Sequence, residues 1–255
     1  MTLRDHAGAA LAGAVAGLAG GLFGVGGGVV LVPMLTGAFK LTQHQAHGTS
    51  LAAIGATALA ALFVYGARGN VAWSTAALVG IASVFTARYG ARWASRISKR
   101  ALTRAFAVFL VLVAVRLLWR VPAGSGTPLL HGWPGLALDL ALGAAVGLLA
   151  GFMGVGGGLI AVPTFTLLLG MTQAAAQGTS LAVILVTAPA GAIEHARHRN
   201  LVGRLIPGLA LGAALGGPAA AWFAQGLPHD VLVRAFATFL LANAAFGWLR
   251  SWRSS

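Results

Sequence analysis

The residues best suited to holding a charged solute come in two matching sets. Gly24, Gly26, Gly27 and Gly28 lie in the run LFGVGGG at 22–28, and Gly154, Gly156, Gly157 and Gly158 lie in FMGVGGG at 152–158. Each run is followed by a proline, Pro33 or Pro163, and then by Gly48-Thr49-Ser50 or Gly178-Thr179-Ser180. Glycine lets backbone N–H groups approach a ligand closely. Successive amides in a turn form a concavity suited to an anion, and a helix starting there adds the positive end of its dipole. The eight glycines are therefore expected on a substrate path. Close helix packing is the competing use of glycine in membranes, but the doubling at matched positions favours an anion site. Thr49, Ser50, Thr179 and Ser180 read as N-caps opening helices near 49 and 179, with hydroxyls or amides facing the substrate. Gln43, His47, Gln173 and Gln177 stand just before those starts and are additional donors. His47 aligns with Gln177, which argues against an obligatory titrating role there.

The ionisable residues are few. The acids are Asp5, Asp139, Glu194 and Asp230. Glu194 with His195 is a candidate proton-coupling pair, although a salt bridge to the neighbouring Arg197 and His198 competes. Asp139 is read as reaching the membrane interface. Arg88, Arg92, Arg96 and Arg100 recur every four residues, on one helical face that suits anionic lipid headgroups. The net charge of +13 does not imply nucleic acid, because the basic residues sit at the ends of apolar runs. No histidine and carboxylate set has metal spacing, and there is no cysteine. Without a P-loop or a nucleophile–base–acid set, neither an enzyme nor a cofactor is expected. Oligomerisation is left open.

The elements that must position these residues are membrane helices. The chain of 255 residues is 58% hydrophobic and 8% charged, where soluble domains average about 25% charged. A shift of 130 residues superposes its halves without a gap: 17–52 and 147–182 share 19 of 36 positions. The repeats are 1–120 and 135–255, and the linker at 121–134 is rich in Pro, Gly and Ser. Each repeat opens with an apolar stretch, 7–39 or 136–171, broken by GVGGG. Spans follow near 49–66, 72–90 and 103–119, and near 179–196, 204–223 and 231–249.

Each broken stretch is too long for one span and short for two, since about 20 residues cross a bilayer. A hairpin that returns to its starting side makes the repeats inverted. It collects thirteen Lys and Arg on one side and leaves Arg68, Arg116, Arg120 and Arg234 on the other, the asymmetry that sets orientation. A single long tilted helix would give nine against eight. The expected fold is therefore an all-α polytopic membrane protein of two homologous halves. Each half is a Gly-broken helical hairpin plus three spanning helices, inverted relative to each other, with both termini cytoplasmic. The N-terminal residues run directly into an apolar segment, so no cleavable signal peptide is expected.

The doubled glycine run with its proline, the Gly-Thr-Ser triplets and Gly69-Asn70-Val71-Ala72-Trp73 make the chain similar to the TauE/SafE-type sulfite exporters, over about 7–250. The resemblance implies a bacterial inner-membrane permease for small sulfur-containing anions such as sulfite or organosulfonates. Secondary transport by alternating access is the leading reading. A passive anion channel and a non-transporting scaffold subunit are the alternatives.

Overall fold

The computed structural model describes residues 3–94, 99–119, 121, 124, 132–153 and 157–253. Among them lie ten α-helices and no β-strand: α1 Leu3–Phe23, α2 Gly28–Gly37, α3 Gln43–Ala67, α4 Trp73–Ala94, α5 Lys99–Trp119, α6 Gly132–Met153, α7 Gly158–Leu168, α8 Gln173–Arg197, α9 Ile206–Ala224 and α10 His229–Arg253. A short 3-10 turn, Gly203–Leu205, leads into α9. Among the described residues, six helices are long and apolar enough to cross a membrane: α1, α3, α6, α8, α9 with its leading turn, and α10. Large apolar side chains point outward, with Phe63 80% and Leu215 76% exposed. Water would not tolerate such a surface over a whole molecule, whereas lipid tails require it. This is a multi-pass membrane protein.

The glycine runs break the helices as the sequence suggests. Gly24, Gly26 and Gly27 have φ of +68°, +72° and +87°, the left-handed region that ends an ordinary helix. α2 then runs back along α1. Gly27 packs on the Ala16 backbone, and the Phe39 ring returns to Gly8. α7 likewise starts beside Val146 and Ala150 of α6. With 10 and 11 residues, α2 and α7 are about 15 Å long at 1.5 Å per residue. That is half of a roughly 30 Å hydrocarbon core, too short for either helix to span it alone. Pro33 and Pro163 lie inside these short helices rather than ending them.

The expected helix starts at 49 and 179 are corrected. α3 begins at Gln43 behind Thr42, whose hydroxyl accepts the Gln45 N–H at 3.3 Å, while Gln45 Oε1 accepts the Thr42 N–H at 3.2 Å. Thr172 caps α8 by accepting the Ala175 N–H at 3.2 Å. Thr-x-x-Gln at 42–45 is a capping box, and it sets the start of α3 one and a half turns before Gly48. Thr49, Ser50, Thr179 and Ser180 therefore lie inside their helices.

The closest helix pairs join residues 1–120 to residues 135–255. α1 and α9 run parallel: Gly13, Gly17 and Gly21 meet the backbone of Leu209, Ala213 and Gly217, and Gly212 and Gly216 answer against Ala10 and Ala14. α6 and α4 also run parallel, with Gly143 on Val79 and Gly147 on Ser83. Lipid tails leave no hydrophobic force between helices, so small residues that bring backbones together carry such pairs. α3 and α8 lie antiparallel at the centre. Thr49 Oγ1 accepts the Val202 N–H and Thr179 Oγ1 accepts the Ala72 N–H, both at 3.0 Å. α5 and α10 are antiparallel, with the Arg104 guanidinium 5.7 Å from the Trp248 ring centroid.

Candidate functional site

The two hairpin tips touch. A Cβ placed on Gly158 would stand 2.6 Å from the Val25 Cα and 3.1 Å from the Gly24 carbonyl oxygen. Ile54 of α3 and Ile184 of α8 close over Gly26, and Gly24 rests on the backbone of Gln177. The Cα faces of these glycines are therefore filled by protein. Close packing is one use of the motif, and a ligand is left the N–H faces. Gly28, at the first position of α2, is buried with the rest of its break. Gly154 and Gly156 lie outside the described residues.

No side chain caps α2 at Gly27 or α7 at Gly157. The Val30 and Leu31 N–H groups donate to the Gly27 carbonyl at 3.1 and 2.9 Å, and those of Ile160 and Ala161 to the Gly157 carbonyl at 3.1 and 2.8 Å, so only the amides before Val30 and Ile160 in each first turn lack an intrahelical acceptor. Two helix N-termini thus present partial positive charge where the tips meet.

Buried polar side chains surround the first break. Ser180 Oγ donates to the Gly24 carbonyl at 2.8 Å. The Tyr65 hydroxyl lies 3.0 Å from the Gly21 carbonyl and 2.9 Å from Gln177 Oε1. Gln177 is fully buried, yet its Nε2 has no partner. Ser50 Oγ is also buried and unpartnered. It holds in α3 the place that Ser180 holds in α8. Unpaired buried polar groups are costly, and Gln177, packed against Gly24, offers a donor near the meeting tips without any full charge.

The other expected residues are distributed elsewhere. Thr49 and Thr179 use their hydroxyls to latch the loop that follows the opposite central helix. Gln43 is exposed, and its Nε2 lies 3.1 Å from His47 Nε2, away from the breaks. Gln173 is buried at the start of α8. Its Oε1 is 3.2 Å from Thr166 Oγ1, and its backbone N–H donates to His229 Nδ1 at 3.2 Å. Glu194 acts electrostatically on the adjacent His195, but its hydrogen bonds go elsewhere. Its carboxylate instead meets Arg197 at 3.4 Å and His198 at 3.3 Å on an exposed surface, as the competing salt-bridge reading requires. His195 packs against Gly48. Arg88 and Arg92 belong to α4, whereas Arg100 belongs to α5, so the arginines do not share one helix. Arg88 is exposed, and Arg96 lies outside the described residues. Among the described residues, no metal-holding cluster of His, Cys, Asp or Glu occurs. Sequence reasoning missed Tyr65, Ile54 and Ile184. The two isoleucines are 130 residues apart, a signal that was present in the repeat but hidden among ordinary apolar residues.

The family model described as "Sulfite exporter TauE/SafE" matches residues 2–117 and 137–255. The chain is similar to "Probable membrane transporter protein YunE" of Bacillus subtilis (strain 168), 27% identical over 231 residues, covering 80% of this chain and 84% of that protein. A "Probable membrane transporter protein" of Xylella fastidiosa (strain 9a5c) is 28% identical over 236 residues, covering 89% and 88%. One of Haemophilus influenzae is 39% identical over a shorter 74 residues, covering 26% and 28%. No solved structure matches the chain. With both halves of its helical frame matched, the chain belongs to the TauE/SafE sulfite exporter family.

Proposed function

We propose that this membrane transporter is a secondary carrier of small sulfur-containing anions, sulfite or an organosulfonate, in the bacterial inner membrane. The observation that carries the reading is the meeting of two uncapped helix starts, with Gln177, whose buried Nε2 is unpaired, packed against Gly24. Oxyanions are held well by backbone amides and neutral donors at helix N-termini. The related proteins carry transporter names, and the family's name is that of sulfite exporters.

In this reading, residues 1–120 and 135–255 are inverted copies, and rocking one against the other exposes the anion to either side in turn. The antiparallel run of α3 on α8, with its reciprocal Thr49–Val202 and Thr179–Ala72 bonds, supports the inversion. Ile54 and Ile184 act as the thin apolar barrier between the tips. Both termini are cytoplasmic, because the hairpin parity gathers thirteen of the 17 Lys and Arg on that side. Arg88, Arg92, Arg96 and Arg100 meet anionic headgroups there.

The test is counterflow in liposomes holding the purified chain, with sulfite, sulfate, thiosulfate and isethionate. Saturable exchange of a sulfur oxyanion is expected. Large single-channel currents would replace the carrier with a pore, and no flux of any of them would leave a scaffold role.

A further inference from the structure

The two parallel pairs, α1 on α9 and α6 on α4, differ in one respect. Where α1 places Ala9 against the helix pair's opening turn, α6 places Asp139, and where the α9 segment has Leu205, α4 has Thr75. Ala9 and Leu205 are buried in an apolar cluster. Asp139 is 7% exposed and is the one buried charged residue among those described. Its carboxyl hydrogen-bonds the Thr75 hydroxyl.

The difference continues along the seam. Ser83 Oγ donates to the Gly143 carbonyl at 2.9 Å, and Thr86 Oγ1 lies beside Gly147. Their counterparts are Ala213 and Gly216. Asp139, Gly143 and Gly147 rise one turn at a time towards the break that follows Met153. Hydroxyls therefore line α4 and α6 from a buried acid towards the second hairpin tip, on this side only.

An intramembrane acid is costly and marks an ion or proton path. A metal cation would call for several oxygen ligands, but among the described residues the one side chain hydrogen-bonded to Asp139 is Thr75, and a proton needs only the carboxyl. Of the charged residues with described side chains on the helices packed against α6, Arg88 is near the far end of α4, while Arg104 and Arg116 are on α5. None of them acts electrostatically on Asp139, whose polar partner is Thr75.

We infer that Asp139 binds and releases the proton whose movement is coupled to the anion. The carboxylate takes one proton from water on one side and becomes the neutral acid. It returns that proton to the other side after the repeats rock, so one proton crosses per cycle. This rests on the carrier reading above.

Two measurements on the full chain decide it. The first needs no substrate: infrared difference spectra between about pH 4 and pH 9, a range that brackets ordinary carboxyl titration. With four acids in the chain, wild type should show a carboxyl carbonyl band in an apolar setting that Asp139→Asn lacks and Asp139→Glu restores at a shifted position. If Asp139→Asn leaves every titrating band in place, no proton binds at this residue. The second uses thiosulfate and isethionate, which keep their charge across this range, in liposomes. With the membrane potential clamped at zero, one proton carried with each anion gives about tenfold accumulation per pH unit. Asp139→Asn should keep exchange without a gradient and lose the accumulation, and Thr75→Val should weaken it. Unchanged accumulation in Asp139→Asn overturns the coupling role. Absence of counterflow in wild type would refute the carrier reading instead, with the infrared result still judging the proton site.

Discussion

At the scale of single residues, the proposed site's chemistry rests on neutral donors. Gln177 reaches the first break because α8 lays its second turn across Gly24. A hydrogen bond to a charged group contributes about 1.5–3 kcal/mol, so Ser50→Ala should raise the half-saturating anion concentration about tenfold or more, with thermal unfolding little changed. An unaltered concentration dependence would remove Ser50 from the site. Thr179→Val behaves differently. It leaves the half-buried Ala72 N–H without its acceptor at 3.0 Å and should cost about 1 kcal/mol of stability, read as a lower unfolding temperature in detergent. The glycine and Gly-Thr-Ser residues were legible because their types are unusual in apolar segments and recur at a fixed offset. Their roles were less legible. Gly-Thr-Ser resembles a helix start, but the capping box at Thr42–Gln45 lies upstream and closes better. Tyr65 was invisible: a tyrosine in an apolar run carries no signal until the fold sets Gly21 and Gln177 beside it.

At the scale of elements, the broken helices were written plainly. Adjacent glycines at positive φ cannot continue a helix cheaply, and the 10 or 11 residues after each break fall short of a full span. The partners of each helix were not written. A small-residue stripe such as Gly13-Gly17-Gly21 announces a close contact without saying with what. It packs on α9. Gly212→Leu would drive a side chain into the Ala10 carbonyl and, as overpacking, cost about 1–3 kcal/mol or more. Misfolding or a lowered unfolding temperature is expected, while Gly55→Leu, which meets open space, should leave both unchanged. Equal effects of the two would mean that the α1 and α9 contact is not tight.

At the scale of the whole molecule, the 130-residue register made two related halves legible, but not their interlocking. Duplication fixes what each half contains and says nothing of which half supplies a neighbour. In the proposed topology, chain direction follows from hairpin parity. In a chain without cysteine, Ser98→Cys should label only from the cytoplasm and Gly126→Cys only from outside. Labelling of both from one face would reverse the proposed topology. Where the anion is held is the property on which the proposed carrier depends most directly. Equilibrium binding of radiolabelled sulfite to purified wild type and to Gln177→Leu measures this. The expected result is at least about tenfold weaker binding to a variant that stays folded, as loss of a hydrogen bond to a charged guest requires. Equal affinity for sulfite in the two proteins would contradict an anion held between the tips.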